Sequence, residues 1–155
     1  MSDTGKHALQ IVREFDVPAE KLYKVWMSPD RYGDWFCPKP WKVVEAELDM
    51  RAGGSSRIVM QGPEGERFDN IGIYLEIVEN RRIVFTDAYV SAWVPSDKPF
   101  MTGVIEFEDL GNGRSRYTAK ALHWSEDDMK THEQMGFEEG WGVVADQMAD
   151  VARSI

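Results

Sequence analysis

Between Ser125 and Ile155 the large apolar residues Phe137, Trp141, Val144, Met148, Val151 and Ile155 recur at spacings of four, three, four, three and four. At about 100° per residue on a helix these six side chains share a band about 80° wide, a pattern no strand produces. Ser125 and Asp128 form a capping-box variant, and Glu126 and Asp127 place negative charge at the positive end of the helix dipole. The spacing therefore predicts one long helix over 125–155, with a bulky apolar stripe that must lie against something. Everything before it reads mainly as strands, so it lies on a sheet.

Upstream, residues 7–15 alternate as a first strand. Pro18 opens a short helix, AEKLYKVW, in which Leu22, Val25 and Trp26 share a face. Ser28 and Pro29 take the N-cap and N1 positions of a second short helix that runs to about Trp35, before Phe36-Cys37-Pro38-Lys39-Pro40 breaks it. Val44, Ala46, Leu48 and Met50 alternate with charged residues as a half-buried strand. Gly53-Gly54 leads into strand 55–61, which carries Met60, and Gly62-Pro63-Glu64-Gly65 turns the chain again. Ile71, Ile73, Leu75 and Ile77 form an inward row, and residues 82–94 read as one strand ending at Pro95. Strands 102–108 and 114–124 flank Gly111-Asn112-Gly113 as a hairpin. The expected fold class is α+β: a curved seven-stranded antiparallel sheet gripping a long C-terminal helix, with two short helices between strands 1 and 2. At 155 residues the size prior gives one domain, spanning 1–155.

Gly136 and Gly140 inside the final helix each cost about 1 kcal/mol relative to Ala. Two explanations stay open, close approach of the helix to its neighbours and a kink near Gly136 that opens the end of the sheet–helix space. In a straight helix Glu126, Lys130 and Glu133 would continue the apolar band, a conflict that a kink or an overhang resolves.

A net charge of −9 argues against nucleic acid and against anionic membrane surfaces, both of which recruit Lys and Arg. No apolar run approaches the ~18 residues of a membrane span, and the first ten residues lack a signal-peptide core. A single cysteine, Cys37, fits a reducing compartment, so the expected location is the cytoplasm.

The stretches REFDVPAEKLYKVWMSPDRYGDWF, DMRAGG, GIYLEIVENRRIVFTDA and HEQMGFEEGW, in that order, resemble the START-like (birch-pollen-allergen-like) SRPBCC superfamily. Within it they are similar to the family of the C-terminal domain of the heat-shock-protein-ninety ATPase activator. The resemblance implies a helix-grip fold and, from the superfamily, a pocket rather than a particular reaction. Activators of the chaperone ATPase have a separate N-terminal domain, whereas here one domain uses the full length. The activity is therefore not carried over with the family name.

A ligand site between sheet and helix is expected from Trp35, Phe36, Met60, Asp87, Tyr89, Trp93, His123, Phe137 and Trp141, with Trp124 near the rim. These aromatics would equally serve as plain core. In the last strand His123 shares the inward face with Tyr117, Ala119 and Ala121, where an imidazole could work as acid or base. Phe85, Asp87, Tyr89 and Trp93 share a phase in strand 82–94, and an inward Asp87 would need a partner such as His123 or Tyr89. No metal motif, phosphate loop or nucleophile elbow is present, so neither metal nor cofactor is expected.

Three readings follow. The first is a non-catalytic domain binding a small hydrophobic or aromatic molecule. The second is a cyclase- or hydro-lyase-type enzyme using His123 and Asp87. The third is an interaction module in contact with a chaperone, which calls for an exposed apolar patch. Dimerisation through a sheet edge is left open.

Overall fold

The computed structural model describes residues 7–155. Strands β1 (Ala8–Phe15), β2 (Lys42–Leu48), β3 (Ser55–Gln61), β4 (Arg67–Val78), β5 (Arg82–Thr86), β8 (Met101–Gly111) and β9 (Arg114–His123) form one antiparallel sheet in the order β1-β9-β8-β5-β4-β3-β2. Helix α1 (Ala19–Trp26) and a 3₁₀ helix (Pro29–Asp34) sit between β1 and β2, and α2 (Glu126–Gln134) and α3 (Phe137–Arg153) close the chain. This is the expected seven-stranded α+β architecture, consistent with a helix grip.

Local chemistry corrects several sequence expectations. The second short helix is 3₁₀, and Ser28 donates its hydroxyl to the Lys24 carbonyl instead of capping it. A bulge between Val43 and Glu45 reverses the phase of β2, so Val43 is buried and Val44 faces out. A second irregularity between Tyr74 and Glu76 does the same in β4. Tyr74 and Ile77 join the main core, Ile73 is buried outside it, and Ile71 is exposed.

Residues 82–94 do not form one strand. β5 stops at Thr86, and Tyr89–Ser91 (β6) pairs with Val94–Pro95 (β7) in a small separate hairpin. The Asp87 carboxylate ends the strand by accepting the backbone N–H of Phe100 and Met101 at 2.8 and 3.1 Å. A carboxylate satisfied by two main-chain donors anchors a loop and cannot continue a ladder.

The terminal helix is broken. Ser125 Oγ accepts the Asp128 N–H at 3.1 Å, as the capping pattern predicts, but α2 ends after nine residues. Gly136 then takes a left-handed conformation, φ 89° and ψ 38°, and α3 restarts at Phe137. The kink explanation thus holds at Gly136. At Gly140 a methyl group would meet nothing within 4 Å, so close approach does not explain it. The close approach falls at Gly142, where a Cβ would meet the Arg13 guanidinium of β1.

The wholly buried line of α3 is Phe137, Gly142, Ala145, Met148, Ala149 and Ala152. It is rotated by about 70° from the bulky stripe toward the small residues, counting about 100° per residue. Trp141, Val144, Val151 and Ile155 pack on the core from the flank and remain partly exposed. Small residues let α3 come close to α1 and β1, and the larger side chains reach in from the side.

Replacing Gly140 by Ala should raise stability by about 0.5–1 kcal/mol, because the site is helical and open. Gly136→Ala should lower it by about 1–2 kcal/mol, because an L-residue is strained in the left-handed region. Urea unfolding of the two variants checks both signs; equal and opposite results to these would remove Gly136 as the hinge.

Candidate functional site

Two aromatic clusters lie on the helix side of the sheet. In the first, the α1 end and the 3₁₀ helix bring Trp26, Tyr32, Trp35 and Phe36 together. Trp26 and Trp35 meet edge-on at 5.1 Å between centroids, Tyr32 stacks on Phe36 at 4.8 Å, and Phe85 of β5 lies 5.9 Å from Trp26. The Phe85 ring can lie across β8 because residue 103 is glycine; a Cβ there would come within 2.3 Å of it.

The polar atoms of this cluster are unevenly satisfied. Tyr32 donates its hydroxyl to the Trp26 carbonyl at 2.6 Å, and Tyr74 lies against Tyr32. Burial pushes the Tyr74 phenol up to about 12 and raises Tyr32 and Tyr117 well above the usual phenol range, so all three are neutral. The indole N–H groups of Trp26 and Trp35, 6% and 1% exposed, have no hydrogen-bond acceptor among the described residues. Trp26 faces the Tyr117 hydroxyl closely enough to favour its phenolate, yet without hydrogen-bond geometry. Each buried donor left unpaired costs about 1–3 kcal/mol, so the pair needs a reason.

The second cluster forms where β9 ends, β8 begins and α2 docks. His123 is inward, as its strand phase predicts, but its partner is neither Asp87 nor Tyr89. Its Nε2 lies 2.9 Å from Nδ1 of His132 on α2, and its Nδ1 lies 2.9 Å from the His7 carbonyl. A carbonyl only accepts, so His123 Nδ1 carries hydrogen and its Nε2 is left to accept. His132 Nδ1 must therefore donate, which leaves His132 Nε2 as the free acceptor at the end of the chain. Phe100, Phe137 and Trp141 surround His132 at 5.0–5.7 Å, with Phe137 and Trp141 stacked at 4.4 Å.

The other expected site residues separate. Met60 packs on the core. Tyr89 and Trp93 touch each other at 5.8 Å in the outlying hairpin, where Trp93 is 71% exposed with φ 65°, and Trp124 is 55% exposed. Trp93 left the interior because its strand ends at Thr86. His132 was missed because a lone histidine between charged residues gives no periodic signal. Cys37 is buried, and burial pushes its thiol up to about 11, which leaves it a poor nucleophile.

Two surface concavities, each about 490 Å³, lie elsewhere. One is bordered by Arg81, Arg82, Glu106 and Arg116, the other by Glu47, Arg57, Ile71 and Val90. None of the nine residues expected around a ligand borders either, so the wide opening expected between sheet and helix is not among them.

The family model of the activator of Hsp90 ATPase homolog 1-like protein matches residues 16–153. The chain belongs to that family. Among solved structures, a Nitrosomonas europaea protein is 37% identical, with 95% of this chain and 94% of that one covered at a TM-score of 0.90. An Arthrobacter aurescens protein solved by NMR is 24% identical over 100% and 91%, TM-score 0.82, and shares the fold. A Mycobacterium smegmatis protein is 25% identical over 96% and 92%, TM-score 0.76. No curated protein matches the sequence. Domains of this homolog 1-like family are associated with binding ligands or chaperones, and none of these likenesses fixes a ligand or a reaction. Among the described residues no helix is long and apolar enough to cross a membrane.

Burial, then the neighbouring His123, lowers His132 from its ordinary 6.5 to about 4. Between those values the unfolded chain takes up a proton that the folded chain refuses, so stability is lost as pH falls through that window. Solvent at the rim of the pair screens part of the effect, leaving about 2 kcal/mol. Urea unfolding at pH 7 and pH 4.5 should show wild type losing about that much more than His132→Phe; equal losses would mean the pair is not what the acid disrupts.

Proposed function

We propose that this chain binds a small hydrophobic or aromatic molecule in the aromatic interior between its sheet and α3. The observation that carries the reading is the pair of indole donors, Trp26 and Trp35, buried among rings without an acceptor. A packed core avoids such groups, whereas a ligand site combines apolar walls with a few convergent polar atoms. The break at Gly136 supports a route inward. The highly charged α2 has His132 as its one buried residue, and a left-handed glycine follows it. Such a segment can swing away at the cost of few contacts.

Acid–base catalysis by His123 and Asp87 lacks support, because the Asp87 carboxylate is engaged by the 100–101 backbone. A second reading, docking of a chaperone, is favoured by exposed apolar side chains around one surface depression. Ile71 and Val90 border it, and Val94 and Trp93 belong to the same small hairpin as Val90. On that reading Trp93→Ser would lower stimulation of an Hsp90 ATPase by this protein severalfold. An unchanged rate, or no stimulation by wild type, removes it.

The six tryptophans test the ligand reading directly. Titration with the neutral aromatic dye N-phenyl-1-naphthylamine should give saturable one-site binding and shift the indole signals of Trp26 and Trp35 in a ¹⁵N spectrum. Absence of saturable binding, or shifts confined to Trp93 and Trp124, would overturn it.

A further inference from the structure

We propose that the free edge of β1 is a surface able to add a strand from a second copy of this chain, and that Arg13 is the residue that keeps it closed. β1 pairs with β9 on one side, and no described strand lies on its other side. The His123 N–H bonds the His7 carbonyl at 2.9 Å, and the pairing runs from there to Phe15 without a bulge. Bonded and open pairs alternate along an antiparallel ladder, so Leu9, Ile11, Arg13 and Phe15 bond β9. The N–H and C=O groups of Ala8, Gln10, Val12 and Glu14 therefore point to the open edge. Among the described residues only one of these groups is bonded: Arg13 Nη1 donates to the Val12 carbonyl at 3.2 Å.

The Arg13 side chain shares its face of β1 with Ile11 and Phe15, both buried. Its guanidinium lies beside Gly142 of α3, where a Cβ would come within 2.6 Å of Nη2, and it has no ion pair among the described residues. A charge on the inner face, folded back over an edge carbonyl, makes the edge costly to pair. Without it the inward row of an unbulged, eight-residue strand would be wholly apolar, the kind of edge that pairs with copies of itself. The opposite edge strand, β2, needs no such guard: it is bulged after Val43, carries Lys42, Glu45 and Glu47, and packs against the 3₁₀ helix.

The edge of β1 is self-complementary about a twofold axis. With Val12 opposite Val12 of the second copy, Gln10 meets Glu14 and Arg13 meets Ile11. The incoming strand would take the Val12 carbonyl from Arg13. It would also set the two arginines at diagonal positions about 7–8 Å apart, on a face where β1 carries no carboxylate.

Light scattering and hydrogen exchange on the full chain test this. The wild type should be a monomer in which the amides of Gln10, Val12 and Glu14 exchange far faster than those of Ile11 and Arg13. Arg13→Val should double the mass and slow the three fast amides. Adding Val12→Pro, which removes only an edge-facing N–H, should restore the monomer. If Arg13→Val does not fold, Arg13→Met, which keeps an unbranched stem beside Gly142, should give the same doubling. Monomeric Arg13 variants, a dimer that survives Val12→Pro, assemblies larger than two, or a wild type already paired through β1 would each overturn the inference. If neither Arg13 variant folds, the wild-type exchange pattern decides: alternating rates support it and uniform protection from Gln10 to Glu14 overturns it.

Discussion

The close approach of α3 to β1 and α1 is the constraint on which the rest of the structure depends. It is made with small residues: Ala145, Ala149 and Ala152 are fully buried, and Gly142 lets the helix pass over the Arg13 side chain. Dispersion favours this contact because backbone meets side chain at short range with few voids. Once the small face is fixed, the flank of α3 carrying Trp141, Val144 and Val151 is set against the core. Gln147 then reaches the carbonyls of Trp35 and Cys37 at 3.0 Å each. Those two bonds tie the segment after the 3₁₀ helix to α3 and hold the Trp35 ring in the interior.

The helix break follows from the same packing. A straight continuation N-terminal of Phe137 would turn Lys130 and Glu133 along the apolar band. The left-handed Gly136 redirects the chain, so that α2 leaves Glu133 and Lys130 in solvent and buries His132. His132 then completes a hydrogen-bonded row with His123 and the His7 carbonyl, which ties α2 to the end of β9. His132, packed against Phe100, Phe137 and Trp141, thereby fastens one end of the interior, and Lys21 bonding the Ile155 carbonyl at 2.9 Å fastens the other.

Much of this was legible in the sequence. The 3.6-residue period of the last segment, the Ser125 cap and the glycine turns fix a sheet and a terminal helix, and the inward phase of His123 came from simple alternation. What was not legible has common physical causes. Bulges at Val43 and near Leu75 each insert one residue and invert every later side chain, and no residue type announces them. Asp87 looked like a strand residue because its neighbours are apolar, and only tertiary folding shows its carboxylate meeting the Phe100 and Met101 N–H groups. The stripe of large residues outweighed the alanines in the helical pattern, although close packing favours the small face. His132 becomes visible only through His123, nine residues away in sequence, which folding brings within 2.9 Å of it.

Hydrogen–deuterium exchange across residues 126–153 tests the central claim, that α3 is clasped and α2 is hinged, most directly. Amides of Ala145–Ala152 should exchange only with global unfolding, together with those of β8 and β9. Amides of Met129–Gln134 should exchange far faster, through a local opening at Gly136. Equal, slow exchange along both helices would contradict the hinge, and fast exchange at Ala145–Ala152 would contradict the clasp itself.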